Sequence, residues 1–404
     1  MTKQILGAPI VLTEHTEQVI DLDTRTAREL AAFSLADVSV VPCVDGWKVC
    51  PSHMVGTFEV NSQKFVIRPK IEMANVLALL DVDLKTLHWG NDQFDYESTE
   101  GLLVSIVRLF SRALELAMSR GLRHDYVARE ERISAIRGRI DFSAVARRPG
   151  ALIPIPCKFD EYTPDIRINQ LLHSAVVTGL RVPGVPRKDI ECLRHNFANF
   201  ESVGTLSGSL DWIDDWTPTR LEQHYESAVR LAGLILKSDS VNQNSGRNSA
   251  RTFLVNMNQL VEKFIETRIK KSLPNGVTQD AQRNRKLDRD GRVNYRPDVT
   301  LMMGKTPVAV VDIKYKNVAT LSEANSADLY QVHTYAQVLS LPEASLITCV
   351  SDLDSSNQSD SIVFNQTGVA VNIYTVNFLN DLKEIELQIT NIVNNILSKA
   401  EALV

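Results

Sequence analysis

No apolar run in this 404-residue sequence approaches the roughly 20 residues that a membrane-spanning helix needs. The opening Met1-Thr2-Lys3-Gln4-Ile5 starts no secretory h-region. Both omissions point to a soluble, cytoplasmic chain with no membrane partner. Cysteine is sparse: Cys43, Cys50, Cys157, Cys192 and Cys349 are odd in number and mostly far apart, which excludes a disulfide scaffold and suits free thiols in a reducing compartment. Cys43, Cys50 and His53 lack a fourth ligand and match no common zinc finger, so half-buried thiols in a β-rich segment explain them better. A basic excess is missing too. Lys plus Arg is 44 against 49 Asp plus Glu, a net charge of −5, so any contact with nucleic acid must come from a local patch rather than bulk charge. A nucleotide-binding loop is also absent: Gly304-Lys305-Thr306 ends like a Walker A motif, but Val299 stands where its first glycine must be. No Ser-His-Asp or Cys-His arrangement has motif support, and no internal repeat is visible.

What is present is ordinary globular material, 44% hydrophobic and 23% charged, enough for two or three domains. Charge is uneven along it. Residues 1–100 carry 8 basic and 15 acidic side chains, residues 101–148 carry 10 and 5, and residues 246–296 carry 12 and 5. Residues 1–95 read as a β-rich domain. Val38 to Pro42 and Trp47 to Val49 flank Asp45-Gly46, and Val55 to Val60 and Lys64 to Ile67 flank Asn61-Ser62-Gln63, a hairpin pattern. Residues 96–245 read as a largely helical middle region, and the polar stretch Ser238 to Ser249 has linker composition. Residues 246–404 read as an α/β domain. It has an amphipathic helix from Thr252 to Ser272, strands Val293 to Met303 and Val308 to Lys316, a helix from Ala327 to Leu339, further strands, and a closing helix.

The hairpin in that last domain carries the chemistry. A three-residue loop centred on Lys305 sets Asp298 directly opposite Asp312, on one face with Cβ atoms roughly 5 Å apart. Lys314, two residues on, points to the same face. A slip of one residue would scatter the three. Paired carboxylates repel unless a cation sits between them, and hard oxygen ligands suit Mg²⁺ or Mn²⁺. Such an ion polarises a phosphate oxygen and acidifies a bound water, which Lys314 can orient. The competing account is an Asp312–Lys314 ion pair that merely ends a buried strand, since Val308 to Val311 is strongly apolar.

Pro297-Asp298 … Asp312-Ile313-Lys314 resembles the PD-(D/E)xK nuclease signature. Gln331 and Tyr335 have the Gln-x-x-x-Tyr spacing found on the helix after the core hairpin in RecB-like members, and Asp328 shares their face. Glu262 resembles the first-helix glutamate that can approach the metal, although a solvated helix face is the alternative. Farther upstream, Val55-Gly56-Thr57 … Phe65 to Ile71, Arg137-Gly138-Arg139-Ile140-Asp141-Phe142, and Asp160 to Asp165 … Asn169-Gln170-Leu171-Leu172 are similar to the McrC family, the nuclease subunits of McrBC-type, modification-dependent restriction systems. The resemblance spans about 50 to 340. It implies a mixed sheet flanked by helices in the nuclease domain and Mg²⁺ or Mn²⁺ held by Asp298, Asp312 and the Ile313 carbonyl. It also implies docking through the N-terminal part onto an McrB-type AAA+ GTPase ring that reads double-stranded DNA carrying modified bases.

The tract Arg283, Arg285, Lys286, Arg289, Arg292 and Arg296 leads into the catalytic strand and suits a DNA-phosphate track; a flexible charged loop is the alternative. Arg137 and Arg139 fit DNA, the partner ring or the acidic N-terminal segment equally well. His333, one residue round from the Gln331–Tyr335 face, reads as structural. The expected protein is a metal-dependent DNA endonuclease subunit. The competing functions are a non-cutting activator of the GTPase and a stand-alone RecB-like repair nuclease.

Overall fold

The computed structural model describes residues 9–71, 75–76, 79, 102–147, 153–244, 252–283, 285–288, 290, 292, 294–316, 324–350 and 359–401. The boundary expected near residue 95, residues 245–249 of the expected linker, and Arg289 lie outside them. The chain divides into two units, 1–82 together with 254–404, and 83–253. The three successive domains expected from the sequence therefore give way to a different partition, in which the N- and C-terminal parts form one body. The reason is hydrogen bonding across the sequence. The strand Phe253–Asn256 is the fourth strand of the N-terminal sheet, whose order is Ile10–Thr13, Gln63–Arg68, Met54–Val60, Phe253–Asn256. The expected helix start at Thr252 is thus corrected to a strand followed by the helix Met257–Ser272, capped by the Asn256 side chain on Gln259 N.

In the same unit a six-stranded mixed sheet runs in the order Val277–Ala281, Val299–Met303, Thr306–Lys314, Glu343–Val350, Ala370–Asn377, Ser359–Val363. The strand Val277–Ala281, which the sequence did not announce, pairs antiparallel with Val299–Met303. Val310, Leu346, Val371 and Ile373 alternate onto one sheet face and bury themselves with Val332, Tyr335 and Ala336 of the helix Ser326–Val338. The helices Met257–Ser272 and Leu382–Glu401 pack on the sheet and on each other, joined by Arg268 Nε to Glu386 Oε1 at 3.2 Å and Ser272 Oγ to Thr390 Oγ1 at 3.0 Å. No described helix is long and apolar enough to cross a membrane.

The other unit is not purely helical. Its helices Leu102–Met118, Arg167–Gly179, Arg187–Phe197 and Glu226–Asn244 accompany an antiparallel sheet of Asp125–Ile133, Ile155–Thr163 and Arg139–Ile140. The sequence conceals this sheet because the outer face, Tyr126, Ala128, Glu130, Arg132, Lys158, Asp160 and Tyr162, is exposed throughout and offers no apolar alternation. The last of those helices also runs through part of the expected linker, to Asn244.

The motifs quoted from this region are spent within the unit. Buried Asn169 donates to the carbonyls of Arg123 (2.8 Å) and Pro164 (2.7 Å), and Gln170 donates to Asp165 at 2.8 Å. Arg137 lies over the Phe159 ring and 3.3 Å from Glu161. Gly138 has φ +67°, and a Cβ there would meet the Lys158 carbonyl oxygen at 2.5 Å. Gly138→Ala is therefore expected to destabilise this unit by about 2 kcal/mol or more. Chemical denaturation checks this, and an unchanged midpoint would show that the strands separate freely there.

Candidate metal-dependent nuclease site

The hairpin of Val299–Met303 and Thr306–Lys314 reaches its register by an unexpected route. The turn is Gly304-Lys305, because Met303 pairs with Thr306, one residue shorter than the expected loop. A bulge between Leu301 and Met302 then absorbs one extra residue on the other strand, so Leu301 pairs with Ala309, Thr300 with Val310 and Val299 with Val311. Asp298 itself sits in a bend just outside that ladder, and its side chain lies beside that of Asp312. Buried Pro297 precedes it. Gln282 N donates to the Asp298 carbonyl at 3.0 Å, and Ile313 N donates to Asp298 Oδ2 at 2.7 Å. The Asp298 carboxylate is therefore locked onto the strand that carries Asp312 and Lys314.

Lys314 Nζ lies 2.9 Å from Asp312 Oδ2, with the Asp312 side chain only 2% exposed. Lys314 is the ion-pair partner of that buried oxygen, although the two are not aligned as a well-formed hydrogen bond. Burial, and after it the charge of Asp298, pushes the Asp312 carboxyl up to about 7. Burial also raises Asp298, against the stabilising hydrogen bond from Ile313. Burial pulls Lys314 down, but the Asp312 and Asp298 charges outweigh it and hold the ammonium above its usual value.

The remaining expected residues fall unevenly around this cluster. Gln331 Nε2 donates to the Tyr335 hydroxyl at 2.7 Å, and that hydroxyl donates to the Arg296 carbonyl at 3.3 Å. Tyr335 thereby steadies the backbone just before Pro297-Asp298. Lys316 Nζ, 2.6 Å from Asp328 Oδ2, ties the same helix to the end of the strand Thr306–Lys314. Glu262 is half-buried and feels the charges of Lys314, Asp312 and Arg296, so it faces the cluster rather than open solvent. Burial raises its carboxyl, with Lys314 opposing. Among the described residues, no three His, Cys, Asp or Glu side chains converge as a metal cluster. Glu262 therefore stands beside the carboxylate pair instead of completing a three-ligand set with it.

Glu266, one turn on, also feels Arg296 and accepts from Gln279 at 3.4 Å. Its i+4 spacing from Glu262 was the signal available for it. His333 stacks on Phe364 at 4.1 Å and hydrogen-bonds Thr367 at 2.8 Å, a packing role. Cys43, Cys50 and His53 form no metal group, and all five cysteines are free.

The basic tract surrounds the entry to the Asp298 strand. Arg285 and Lys286 pair through their backbones with Tyr295 and Asn294. Arg283 and Lys286 are exposed, and Arg283 Nη1 is 3.6 Å from Asp280. Arg292 is exposed and 3.1 Å from Asp290. Arg296 Nη2 donates to Gln282 Oε1 at 2.5 Å.

The donor set fits a hard divalent ion. Two carboxylates lie together beside the one Lys314 ammonium, and the Ile313 carbonyl belongs to the same strand segment. Mg²⁺ retains several waters and needs only one or two protein carboxylates. The chain superposes on a chain of the refined half-complex from a tetradecameric assembly of Thermococcus gammatolerans McrB AAA+ hexamers with bound McrC. The TM-score is 0.59 at 18% identity, covering 96% of this chain and 100% of that one, a likeness of fold. The cryo-EM structure of the Thermococcus gammatolerans McrBC complex is also similar, at TM-score 0.42 and 19% identity over 69% and 90% of the two chains. No curated relative matches. The model of the McrBC 5-methylcytosine restriction system component matches residues 49–348, and the chain belongs to that family.

Proposed function

We propose that this chain is the DNA-cutting, McrC-like subunit of a McrBC-type restriction system, with a PD-(D/E)xK nuclease domain built around Asp298, Asp312 and Lys314. The observation that carries the reading is the meeting of two largely buried carboxylates, Asp298 and Asp312, with the single ammonium of Lys314, 2.9 Å from Asp312 Oδ2. Lys314 offsets one of the two charges, and a bound cation would offset the other. Asp298, Asp312 and the Ile313 carbonyl would hold Mg²⁺ or Mn²⁺, with Glu262 behind them. The bound ion would polarise the scissile phosphate and lower the pKa of a water. Lys314 would orient the attacking water and offset charge on the phosphorus. Gln331 and Tyr335 would keep Asp298 in place through the Arg296 carbonyl. Arg283, Arg285, Lys286, Arg289 and Arg292 would neutralise the DNA backbone on approach.

In the neighbouring structure McrC is bound to McrB AAA+ hexamers, and an McrB-type GTPase ring is the partner we assign here. The family's description supplies the base to test, 5-methylcytosine. The test is plasmid cleavage with Mg²⁺ and GTP, on methylated and unmethylated DNA, with and without the McrB-type GTPase. Cutting that requires partner, GTP and methylation is the expected result. Cutting by this chain alone would move it to the stand-alone repair nucleases, and GTPase stimulation without cutting would make it an activator.

A further inference from the structure

The strand that carries the site is poorly supported at its end. Its hairpin partner stops at Val299, opposite Val311. Residues 312–314 are therefore laddered on one side only, by Leu346 to Thr348. The next residue, Tyr315, is buried, and its hydroxyl donates to Glu14 Oε1 at 2.6 Å. Glu14 follows the N-terminal strand Ile10–Thr13 and is 0% exposed. Its Oε1 also accepts from Lys70 N at 2.7 Å, its own N–H donates to the Arg68 carbonyl at 3.0 Å, and Oε2 is buried with no hydrogen-bond partner.

The N-terminal sheet grips the site a second time. Met257 N, at the start of the helix bearing Glu262, donates to the His53 carbonyl at 2.9 Å, and the strand before that helix completes the N-terminal sheet. A buried carboxylate with an orphaned oxygen is an expensive way to join two strands, because apolar side chains of the same size would seal the contact without the desolvation penalty. What the carboxylate adds is direction. It fixes where the tyrosine hydroxyl, and with it the strand end, must lie.

We propose that Glu14 is a positioning residue of the nuclease site. Acting through Tyr315, it sets where the strand Thr306–Lys314 ends and therefore where Lys314 Nζ stands relative to Asp312. The N-terminal sheet is then a component of the site, and whatever docks on that sheet acts on the lysine through this one hydrogen bond. The inference rests on the nuclease reading for its consequence, but the geometry it asserts can be measured without cleavage.

The experiment uses the full-length protein with its GTPase partner and compares Tyr315→Phe, Glu14→Leu, Glu14→Gln and the double variant Glu14→Leu/Tyr315→Phe. Single-turnover cleavage should slow by about tenfold or more in Tyr315→Phe and Glu14→Leu at saturating DNA, with the DNA concentration for half-maximal rate within about twofold. Glu14→Gln keeps an acceptor oxygen and should restore most of the rate. The double variant should be no slower than the slower single, since the two residues act as one unit. Hydrogen exchange should quicken at residues 313–316 and stay unchanged in Val299–Met303, and Mn²⁺ binding by calorimetry should weaken. Variants that melt earlier yet cut at the wild-type rate, with exchange at 313–316 unaltered, would overturn the proposal. A wild-type protein that cuts no DNA would sink the nuclease reading instead, and the exchange and Mn²⁺ arms on Tyr315→Phe would still decide whether Glu14 positions the strand end.

Discussion

Asp312→Asn is expected to reduce DNA cleavage by the ring-assembled protein by about 10³-fold or more, while ring binding and GTPase stimulation stay at wild-type levels. The substitution preserves volume in a site where the side chain is only 2% exposed, so no cavity opens. It also keeps one acceptor oxygen toward Lys314. What it removes is the negative charge that, with Asp298, makes the pocket attractive to a divalent cation. Loss of GTPase stimulation together with cleavage would show that Asp312 maintains the fold, and retained cleavage would remove the carboxylate pair from the mechanism. Plasmid nicking and GTP turnover, measured on the same preparation, separate the three outcomes.

The second large effect is on stability without metal. With its folded-state pKa raised to about 7 by burial and by the charge of Asp298, Asp312 keeps a proton in the fold that the unfolded chain releases near its ordinary value of about 3.9. Below about pH 4 both states hold the proton and the contribution is fully present. Between about 4 and 7 the folded state binds the extra proton, so stability falls as pH rises, by a few kcal/mol in order of magnitude. Asp298, raised for the same first reason, pushes in the same direction. After treatment with EDTA, the protein should therefore melt several degrees lower at pH 8 than at pH 5. Asp312→Asn should flatten that slope, and Mg²⁺ should restore wild type but not the variant at pH 8. Parallel melting profiles for the two proteins would show that Asp312 ionises freely in the fold.

That Asp298 and Asp312 come together was legible in the sequence, although the turn was not and the ladder ends one residue short of them. A pattern of apolar residues ending in charged ones reports which residues must share a face. It carries no information about whether a turn has two residues or three, and here the bulge at Leu301/Met302 makes good the shorter turn. Glu262 was legible as a candidate but not as a neighbour of the cluster, because a helical wheel locates it relative to its own stripe and not to a strand 36 or more residues away. The strand Phe253–Asn256 was absorbed into the following helix because Phe253 continues the Met257, Val261, Phe264 stripe; Asn256, a capping residue, was the signal that the helix begins later. Nothing local could have foretold that Glu14 meets Tyr315, since a hydrogen bond across most of the chain leaves no periodic trace.

That long reach has a consequence for synthesis. The unit formed by residues 83–253 interrupts the other one, and Glu14 must wait for a partner 301 residues downstream. At ordinary elongation speeds this is a delay of roughly 15 to 60 s on the ribosome. Until residues 253–256 emerge, the N-terminal sheet is missing a strand, and until residue 315 emerges a carboxylate intended for the interior has no tyrosine to meet. Any product long enough to finish that sheet and bury Glu14 already contains Asp298, Asp312 and Lys314. A chain that ends between residues 257 and 314 completes the sheet but leaves Glu14 without Tyr315, so that buried contact forms only in products that also carry the two carboxylates and the lysine.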